Sequence, residues 1–307
     1  MTRYHNHAGF QISNKLLRLV EVKNKSKHFV LENIDEEYFG EFFKFGDKET
    51  KLITILQDSF DKLILRNPLS SNSVSFTLPS NVFNMFQIPY DDALTKRDLE
   101  EHINWELSVL LPEQNINDLA IQTIKINNSK LREGSFLILL TLPKNWIQLL
   151  NKFCTRNNVV LKFIDNEHLS ANNLLYLQNY LLENKLYITV LIRENYISVI
   201  LLEKNLPVHI NISSYDNSND IVEVLTNELD KISKKFEEVI EIEQSFVFGE
   251  PLPEMILKNI RENTGLKLIS VDPFLNIKKS EKVTEKNEFI ENPSIFSTAA
   301  GIAYRLV

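Results

Sequence analysis

The chain has 307 residues, of which 43% are hydrophobic, and a formal net charge of −7. It is long enough for two domains with separate cores, whereas its acidic balance argues against a general nucleic-acid-binding protein, which is normally basic. No apolar run reaches roughly 18 residues, the length that a membrane-spanning helix needs, and the polar N-terminus predicts a chain that is not exported. The single cysteine, Cys154, excludes a disulfide framework, so we expect it to be structural.

The first 70 residues predict three strands followed by a helix. Residues 9–22 form two short apolar stretches around the turn Ser13-Asn14-Lys15, and residues 29–34 form a third stretch. Residues 49–65 place apolar side chains at helical spacing. The chain is therefore expected to open with strand, strand, strand and helix.

Residues 71–157 predict a compact α+β unit inserted into the first domain. Its first helix has Thr95 at a position suited to an N-cap and Asp98 in the first turn, where the helix dipole favours a carboxylate. A second helix follows Pro143 and carries Trp146 on its apolar face. Apolar runs predict four strands in this unit, at residues 74–78, 82–88, 119–126 and 136–142.

The chain then returns to the first domain and repeats its opening plan. Residues 159–164 predict a strand, and Asp165 precedes a helix. From residue 186 onwards, a hairpin, a third strand and an amphipathic helix occur again in the same order. The elements of this second half are predicted at residues 187–192, 196–202, 208–212, 221–236, 245–249, 253–263 and 266–270. This repeat predicts two domains of related fold.

Glycine is scarce in the chain, with 7 glycines in 307 residues against a usual share of about 7%. Loops that bind phosphate need glycine because their backbone approaches the ligand closely and adopts positive φ. None of the seven glycines lies in a G-x-G or a G-x-x-x-x-G-K pattern. The composition therefore argues against nucleotide chemistry.

A series of short motifs follows the predicted elements along nearly the whole chain. The motifs are Leu78-Pro79, Ile88-Pro89, Trp105-Glu106, Leu111-Pro112-Glu113, Ile164-Asp165, Leu169-Ser170-Ala171, Val271-Asp272-Pro273-Phe274 and Gly301-Ile302-Ala303-Tyr304-Arg305. Their order and spacing resemble the PilM family, the actin-like proteins of type IV pilus assembly. The cytoplasmic domain of the type II secretion protein GspL and the division protein FtsA are more distantly similar.

The resemblance implies an α/β, actin-like fold, which is a duplicated ribonuclease-H-like fold with a small inserted α+β domain. The first actin-like domain would comprise residues 1–70 and 158–185, the inserted domain residues 71–157, and the second actin-like domain residues 186–307. Members of the family hold a nucleotide between Asp-x-Gly hairpins that open the two domains, together with a glycine pair beside the adenosine.

The two hairpins of this chain depart from that nucleotide-binding pattern. In the first hairpin, Gln11 and Ser13 supply neither the carboxylate of the metal–water shell nor the glycine of the phosphate turn. In the second hairpin, Glu194 and Asn195 replace the Asp-x-Gly turn, and a glutamate there would repel a phosphate. We therefore expect both phosphate loops to be degenerate.

The remaining nucleotide positions are also altered or ambiguous. The glycine pair is reduced to Gly249 followed by Glu250. Glu228 stands where the family carries a ribose-contacting glutamate, and it is either a remnant of that role or a solvated helix charge. We expect no catalytic residue and no cofactor, with ATP and Mg²⁺ retained only in the alternative that the chain is a divergent actin-like ATPase.

The function implied by the resemblance is that of a cytoplasmic scaffold at the inner-membrane platform of a type IV pilus or a related secretion machine. Its partner would be the cytoplasmic N-terminal segment of a PilN-like membrane protein, in a groove between the inserted domain and the first domain. Phe86 and Trp105 are candidate contacts, and the edge of the strand at residues 82–88 can pair with an extended peptide. Any self-association is expected to be weak and head-to-tail.

Other polar clusters have simpler structural interpretations than a metal site. His5 and His7 lie in a terminal segment, and His102 lies one helical turn before Glu106, as expected for a solvated helix face. Residues 91–92 and 100–101 are paired carboxylates near a helix start, where they suit the dipole. We predict no metal site, and we expect residues 278–292, which alternate in charge, to form a mobile loop.

Overall fold

The computed structural model describes residues 6–25, 28–127, 129, 131, 134–182, 185–203, 205–236, 241–275, 277–284 and 291–305. The strands in these residues form two larger sheets and one small sheet. No helix in the described residues combines the length and the apolar composition that crossing a membrane requires.

The first sheet combines the opening hairpin with strands from three later parts of the chain. Its strands are β1 (Asn6–Ile12), β2 (Leu16–Lys25), β3 (His28–Tyr38), β4 (Ser73–Leu78), β8 (Val160–Asn166) and β14 (Lys278–Lys279). They lie in the order β14-β3-β2-β1-β4-β8. β1, β2 and β3 are antiparallel neighbours, whereas β4 runs parallel to both β1 and β8.

The second sheet repeats this plan. Its strands are β9 (Leu186–Ile192), β10 (Tyr196–Glu203), β11 (Leu206–Ser214), β12 (Ile242–Gly249) and β13 (Leu268–Ser270). The order β11-β10-β9-β12-β13 corresponds to β3-β2-β1-β4-β8 in the first sheet, with the same antiparallel and parallel pairings. The duplication predicted from the sequence is therefore confirmed.

Helices cover both faces of each larger sheet. They are α1 (Glu49–Arg66), α3 (Lys144–Arg156), α4 (Glu167–Leu177), α5 (Asp220–Phe236), α6 (Glu254–Thr264), α7 (Glu281–Thr284) and α8 (Ser297–Ala303). α1 and α3 pack on the outer face of the first sheet, and α5 and α6 on the outer face of the second. α4 and α8 lie between the two sheets, so their apolar residues join both halves in one core.

A third, small sheet and one helix form the inserted unit. Its strands are β5 (Asn84–Pro89), β6 (Leu119–Ile126) and β7 (Phe136–Pro143), in the order β5-β7-β6, and its helix is α2 (Lys96–Leu110). Thr95 caps α2 as predicted, because its side chain accepts a hydrogen bond from the Asp98 backbone N–H. We refer to residues 84–143 as the inserted unit.

The boundaries 71–157 predicted for this unit were too wide at both ends. β4 is a central strand of the first sheet, and all of its residues are buried between β1 and β8. α3 belongs to the first domain as well, because Trp146, Leu149 and Phe153 pack in its core. Replacing residues 71–157 by a linker would remove a central strand and a core helix.

The two faces of the small sheet have different neighbours. On one face, Leu137 and Leu139 pack against Ile103 and Leu107 of α2. On the other face, Ile138 and its neighbours join the apolar cluster of the second domain. The inserted unit therefore contacts the second domain as well as the first.

Part of the segment predicted as a mobile loop, residues 278–292, is structured at residues 278–284, while residues 285–290 lie outside the described residues. β14 pairs in parallel with β3, and α7 follows it. Val283 of α7 is buried in the core between the two sheets. The sequence concealed this because a two-residue edge strand made of Lys278 and Lys279 has no apolar period.

Gly301 lets α8 approach α4 closely, and this gives one residue of the C-terminal motif a physical role. A Cβ atom at Gly301 would lie 1.9 Å from the carbonyl oxygen of Ser170 in α4. We expect Gly301→Ala to lower the free energy of unfolding by at least about 2 kcal/mol, because backbone must move to admit the methyl group. Urea unfolding measures the change.

The matched control is Gly40→Ala, since a Cβ atom at Gly40 would meet no atom within 4 Å. That variant should unfold within about 0.5 kcal/mol of the wild type. Equal effects of the two substitutions would show that the α4–α8 approach does not constrain residue 301.

Candidate functional site

Two hairpin turns, one from each domain, face each other across a cleft of about 650 Å³. The first turn, residues 13–15, joins β1 to β2, and the second, residues 193–195, joins β9 to β10. Lys15 and Glu194 form an ion pair across the cleft. Ser13 is used within its own turn, where its Oγ accepts hydrogen bonds from the backbone N–H groups of Lys15 and Leu16.

Arg193 spans the base of the cleft between the second and the first domain. Its Nε donates to Glu167 Oε2 at 2.8 Å, and its Nη2 donates to Thr298 Oγ1 at 2.9 Å. Both members of the ion pair are buried, with side chains 7% and 1% exposed. Glu167 begins α4 and Thr298 lies in α8, so the guanidinium joins the second hairpin to two helices that pack on the first sheet.

Further hydrogen bonds complete the surroundings of the Glu167 carboxylate. It accepts from the Ser80 backbone N–H at 3.1 Å and from the Tyr196 hydroxyl. Although burial opposes the charge of Arg193, the Glu167 carboxylate raises the pKa of the guanidinium. Burial, and then the charge of Glu167, raise the pKa of the Tyr196 hydroxyl well above its ordinary value. At neutral pH the cleft base therefore holds a buried ion pair with a neutral tyrosine.

A second arginine, Arg18 of β2, reaches the same cleft from the first domain. Its Nε donates to Glu36 Oε2 at 2.9 Å, and its guanidinium lies over the Phe296 ring. Arg18 Nη1 is 3.5 Å from Glu250 Oε1, and Arg193 Nη1 is 3.9 Å from the same oxygen. Glu250 thus lies between two guanidinium groups that belong to different domains.

Gly249 is required by the local backbone. Its φ is +90°, a conformation that L side chains rarely adopt. A Cβ atom there would also lie 2.3 Å from the Ile192 carbonyl oxygen and 2.9 Å from Arg193 Nη1. The glycine therefore permits the close pairing of β12 with β9 beside the arginine, which is sufficient reason for its presence.

Three of the sequence-predicted nucleotide residues, Gln11, Glu228 and Gly249, do not line the cleft. Gln11 is fully buried in β1, and its side-chain amide makes no hydrogen bond within the described residues. Glu228 of α5 is held by β11, where His209 Nε2 is 2.9 Å away and Asn211 Nδ2 donates at 2.6 Å. Burial disfavours its charge, but these hydrogen bonds lower the pKa of Glu228. Glu228 is therefore neither a solvated charge nor a residue of the cleft.

A separate groove of about 320 Å³ lies between the inserted unit and the first domain. β6 is an edge strand of the small sheet, β8 is an edge strand of the first sheet, and both contribute to the lining. Ile121 of β6 and Ile147 of α3 are 36% and 37% exposed. The residues from β6 and β8 that line it are Ala120, Ile121, Gln122, Leu161, Lys162, Phe163 and Ile164.

The two predicted partner contacts lie outside this groove. Phe86 of β5 is half-buried and packs against the apolar cluster beneath α2. Trp105 of α2 is 62% exposed, with the exposed Val109 one helical turn further along. Both residues stay predictions as partner contacts, on a surface of the inserted unit distinct from the groove.

The other polar candidates have structural partners. His102 Nε2 contacts the Pro89 carbonyl oxygen at 2.9 Å, and Glu106 is 3.8 Å from it. His7 lies buried between the Ala303 carbonyl and Ser75 Oγ, while His5 lies outside the described residues. Burial raises the pKa of the Cys154 thiol to about 12, as suits an inert core residue. In the part of the chain that the structure describes, no group of three or more His, Cys, Asp or Glu side chains is arranged to hold a metal ion.

Comparisons with known proteins identify solved structures that share this architecture. No family model and no curated protein matches the sequence. Among solved structures, the PilM-PilN type IV pilus biogenesis complex aligns with a TM-score of 0.75 and 16% identity, over 97% of this chain and 98% of that chain. A protein from Bacteroides thetaiotaomicron with an actin-like ATPase fold and unknown function aligns with a TM-score of 0.52 and 13% identity, over 88% and 92% of the two chains.

The chain has the actin-like fold. The ethanolamine utilization protein EutJ from Carboxydothermus hydrogenoformans shares it, with a TM-score of 0.51 and 8% identity over 97% of this chain and 89% of that chain. At these identities the likeness concerns the fold. The sequence prediction of an actin-like fold is confirmed.

Sequence reasoning missed the residues that dominate the cleft. The sequence analysis did not single out Arg18, Glu167 and Arg193. The residues that form these ion pairs are far apart in the chain, and no local sequence pattern indicates the pairing. One signal was present: residues 187–202 are mostly apolar, and Arg193 is a cationic residue within that run.

Proposed function

We propose that this protein is a cytoplasmic scaffold, peripheral to the inner-membrane platform of a type IV pilus or a related secretion machine, and that it is not an enzyme. In this proposal the groove between the inserted unit and the first domain binds the cytoplasmic N-terminal segment of a PilN-like membrane protein. Three features support it: the likeness in fold to the PilM-PilN complex, the open groove, and the ion pairs across the cleft.

The observation that carries the proposal is that two strand edges border one apolar groove. Within the described residues, β8 pairs only with β4, and β6 pairs only with β7. An extended peptide can add to such an edge through its backbone, while its alternate side chains enter an apolar pocket. Ile121 of the inserted unit and Ile147 of the first domain both line the groove and provide apolar contacts for those side chains.

The chemistry of the groove defines the kind of peptide that fits. The walls are mainly apolar, and the cationic side chains nearby are Lys162 in the lining and Arg305, whose guanidinium lies 5.0 Å from the centre of the Phe163 ring. Arg305 is already paired with Asp165. A short extended segment with apolar residues at alternate positions is therefore the expected occupant.

The charged groups in the cleft support the part of the proposal that the protein does not bind ATP. A phosphate chain between the two hairpins would have to displace the Lys15–Glu194 pair and meet the carboxylates of Glu167 and Glu250. The buried Arg193 already joins the domains at the cleft base. The alternative, a divergent actin-like ATPase, would require these groups to rearrange around Mg-ATP.

We expect millimolar Mg-ATP to leave the melting temperature of the protein unchanged. A ligand that binds the folded state alone must raise the melting temperature, and the rise grows with its concentration relative to Kd. Thermal unfolding with Mg-ATP, compared with magnesium sulfate at equal ionic strength, measures this. A saturable rise that is lost when the turn at residues 13–15 is changed would favour the ATPase alternative.

A further inference from the structure

The side chain of Glu250 occupies a position where two arginine groups converge. Arg18 Nη1 and Arg193 Nη1 approach the same oxygen, Glu250 Oε1, at 3.5 and 3.9 Å. Hydrogen bonds between charged groups are normally about 2.7–2.9 Å long, so the carboxylate fits this position loosely. Arg193 Nη1 is buried and donates no hydrogen bond within the described residues.

Glu250 differs from the other carboxylates of the cleft base in its exposure. Glu167 and Glu36 each accept a close hydrogen bond from one arginine, at 2.8 and 2.9 Å. The Glu250 side chain is 42% exposed and follows Gly249 in the loop between β12 and α6. It can therefore turn towards solvent without disturbing either of the close ion pairs.

A buried guanidinium donor of Arg193 favours an anion at this position once Glu250 has left it. With Glu250 in place, Arg18, Arg193, Glu36, Glu167 and Glu250 sum to a net charge of about −1. Without it, the sum is zero, and a small external anion restores the charge that Glu250 supplied. The buried Arg193 Nη1 then faces the vacated space without an acceptor among the described residues, whereas Arg18 Nη1 keeps the Ile295 carbonyl oxygen at 3.4 Å. A buried guanidinium donor without an acceptor is costly, so a small external anion is stabilised there.

We propose that Arg18 and Arg193 form an anion site shared by the two domains, that the carboxylate of Glu250 is its built-in occupant, and that the site accepts an external carboxylate or small inorganic oxyanion when that side chain is absent or turned out. The site spans both domains, so its occupant holds the cleft together. The inference concerns the cleft alone, and failure of peptide binding in the groove would leave it untouched.

Chemical rescue of Glu250→Ala tests this proposal. We expect sodium formate or acetate, compared with sodium chloride at equal ionic strength, to raise the melting temperature of this variant saturably. The rise should be roughly 2–4 °C once the anion reaches about five times its Kd. Inorganic phosphate in a separate titration distinguishes an oxyanion site from one that accepts only a carboxylate. The wild type should require at least a tenfold higher concentration of each anion.

Three further variants distinguish binding of an anion at the two arginines from a general effect of salt on stability. Glu194→Ala removes a cross-cleft carboxylate that pairs with Lys15 away from the two arginines, and it should show no difference between formate and chloride. Glu250→Gln fills the space without the charge and should not be rescued. Adding Arg18→Lys to Glu250→Ala should abolish the rescue, and if that double variant does not fold, the comparison of Ala with Gln at residue 250 decides.

The proposal fails if formate, acetate and phosphate all act on Glu250→Ala no more strongly than chloride does. It also fails if Glu250→Ala and Glu194→Ala respond alike, because the response would then come from general screening. A rescue of equal size in Glu250→Gln would place the anion elsewhere and overturn the assignment to the two arginines.

Discussion

Arg193→Met is expected to lower the free energy of unfolding by roughly 3–5 kcal/mol, because it leaves the buried Glu167 carboxylate without its cation. Glu167 is 1% exposed and, within the part of the chain that the structure describes, would keep only the hydrogen bonds from the Ser80 N–H and the Tyr196 hydroxyl. The variant also loses the bond from Arg193 to Thr298 in α8. Urea unfolding at neutral pH, followed by both fluorescence and circular dichroism, measures the loss.

Lys15→Met is the matched control for this prediction. Its ion pair with Glu194 also crosses the cleft, but the two side chains are 44% and 65% exposed, so its loss should cost less than about 1 kcal/mol. Adding Glu167→Gln to Arg193→Met should recover part of the loss, since the unpaired charge is then gone. An effect of Arg193→Met as small as that of Lys15→Met would contradict the role assigned to the buried pair.

The second large effect is expected on the affinity of the groove for the partner's peptide. Ile121→Asp and Ile147→Asp should each weaken binding of the partner's N-terminal peptide by about tenfold or more, and together by about a hundredfold. Each places a carboxylate on one apolar wall, where a bound peptide would bury it. Both positions are partly exposed in the free protein, so folding should be preserved, and an unchanged melting temperature verifies this.

Isothermal calorimetry with the N-terminal peptide of the PilN-like protein from the same cell measures these affinities. Trp105→Ala is the decisive comparison, because Trp105 is exposed on α2 and does not line the groove. If Trp105→Ala abolishes binding while the two aspartate variants bind normally, the peptide site is the surface predicted from the sequence and not the groove.

The repeated architecture was readable from the sequence because each half begins with a hairpin of buried strands. The turns at residues 13–15 and 193–195 separate apolar runs, and the third strand and amphipathic helix follow each hairpin at similar spacing. Such local patterns follow from the periodicity of strands and helices. The order of strands in the two sheets then agrees with the duplication.

The limits of the inserted unit were not readable in the same way. β4 is buried on both faces, and a fully buried strand has the same local pattern whichever sheet it joins. The apolar face of α3 likewise does not reveal that its partner is the first sheet. Membership of a sheet depends on pairing between distant segments, which periodicity does not encode.

The cleft and the groove depend on pairings of the same long-range kind. Glu167 and Arg193 are 26 residues apart, and Arg18 and Glu250 are 232 residues apart. The sequence predicted that the two hairpin turns lack the residues of phosphate loops, but it did not reveal which side chains meet in the cleft. The groove is lined by residues of β6, β7, α3 and β8 together with Phe83, whose juxtaposition follows only from the assembled fold.

Photo-crosslinking in the native host shows whether the groove contacts a membrane partner in the cell. A photoreactive amino acid is introduced at Ile121 in the groove and, as a control, at Leu65, which is 86% exposed on α1 and does not line the groove. We predict that residue 121, and not residue 65, crosslinks to the N-terminal cytoplasmic segment of a membrane protein with one span. Crosslinking of residue 121 to a soluble protein alone, or no more to that membrane protein than residue 65, would contradict the account.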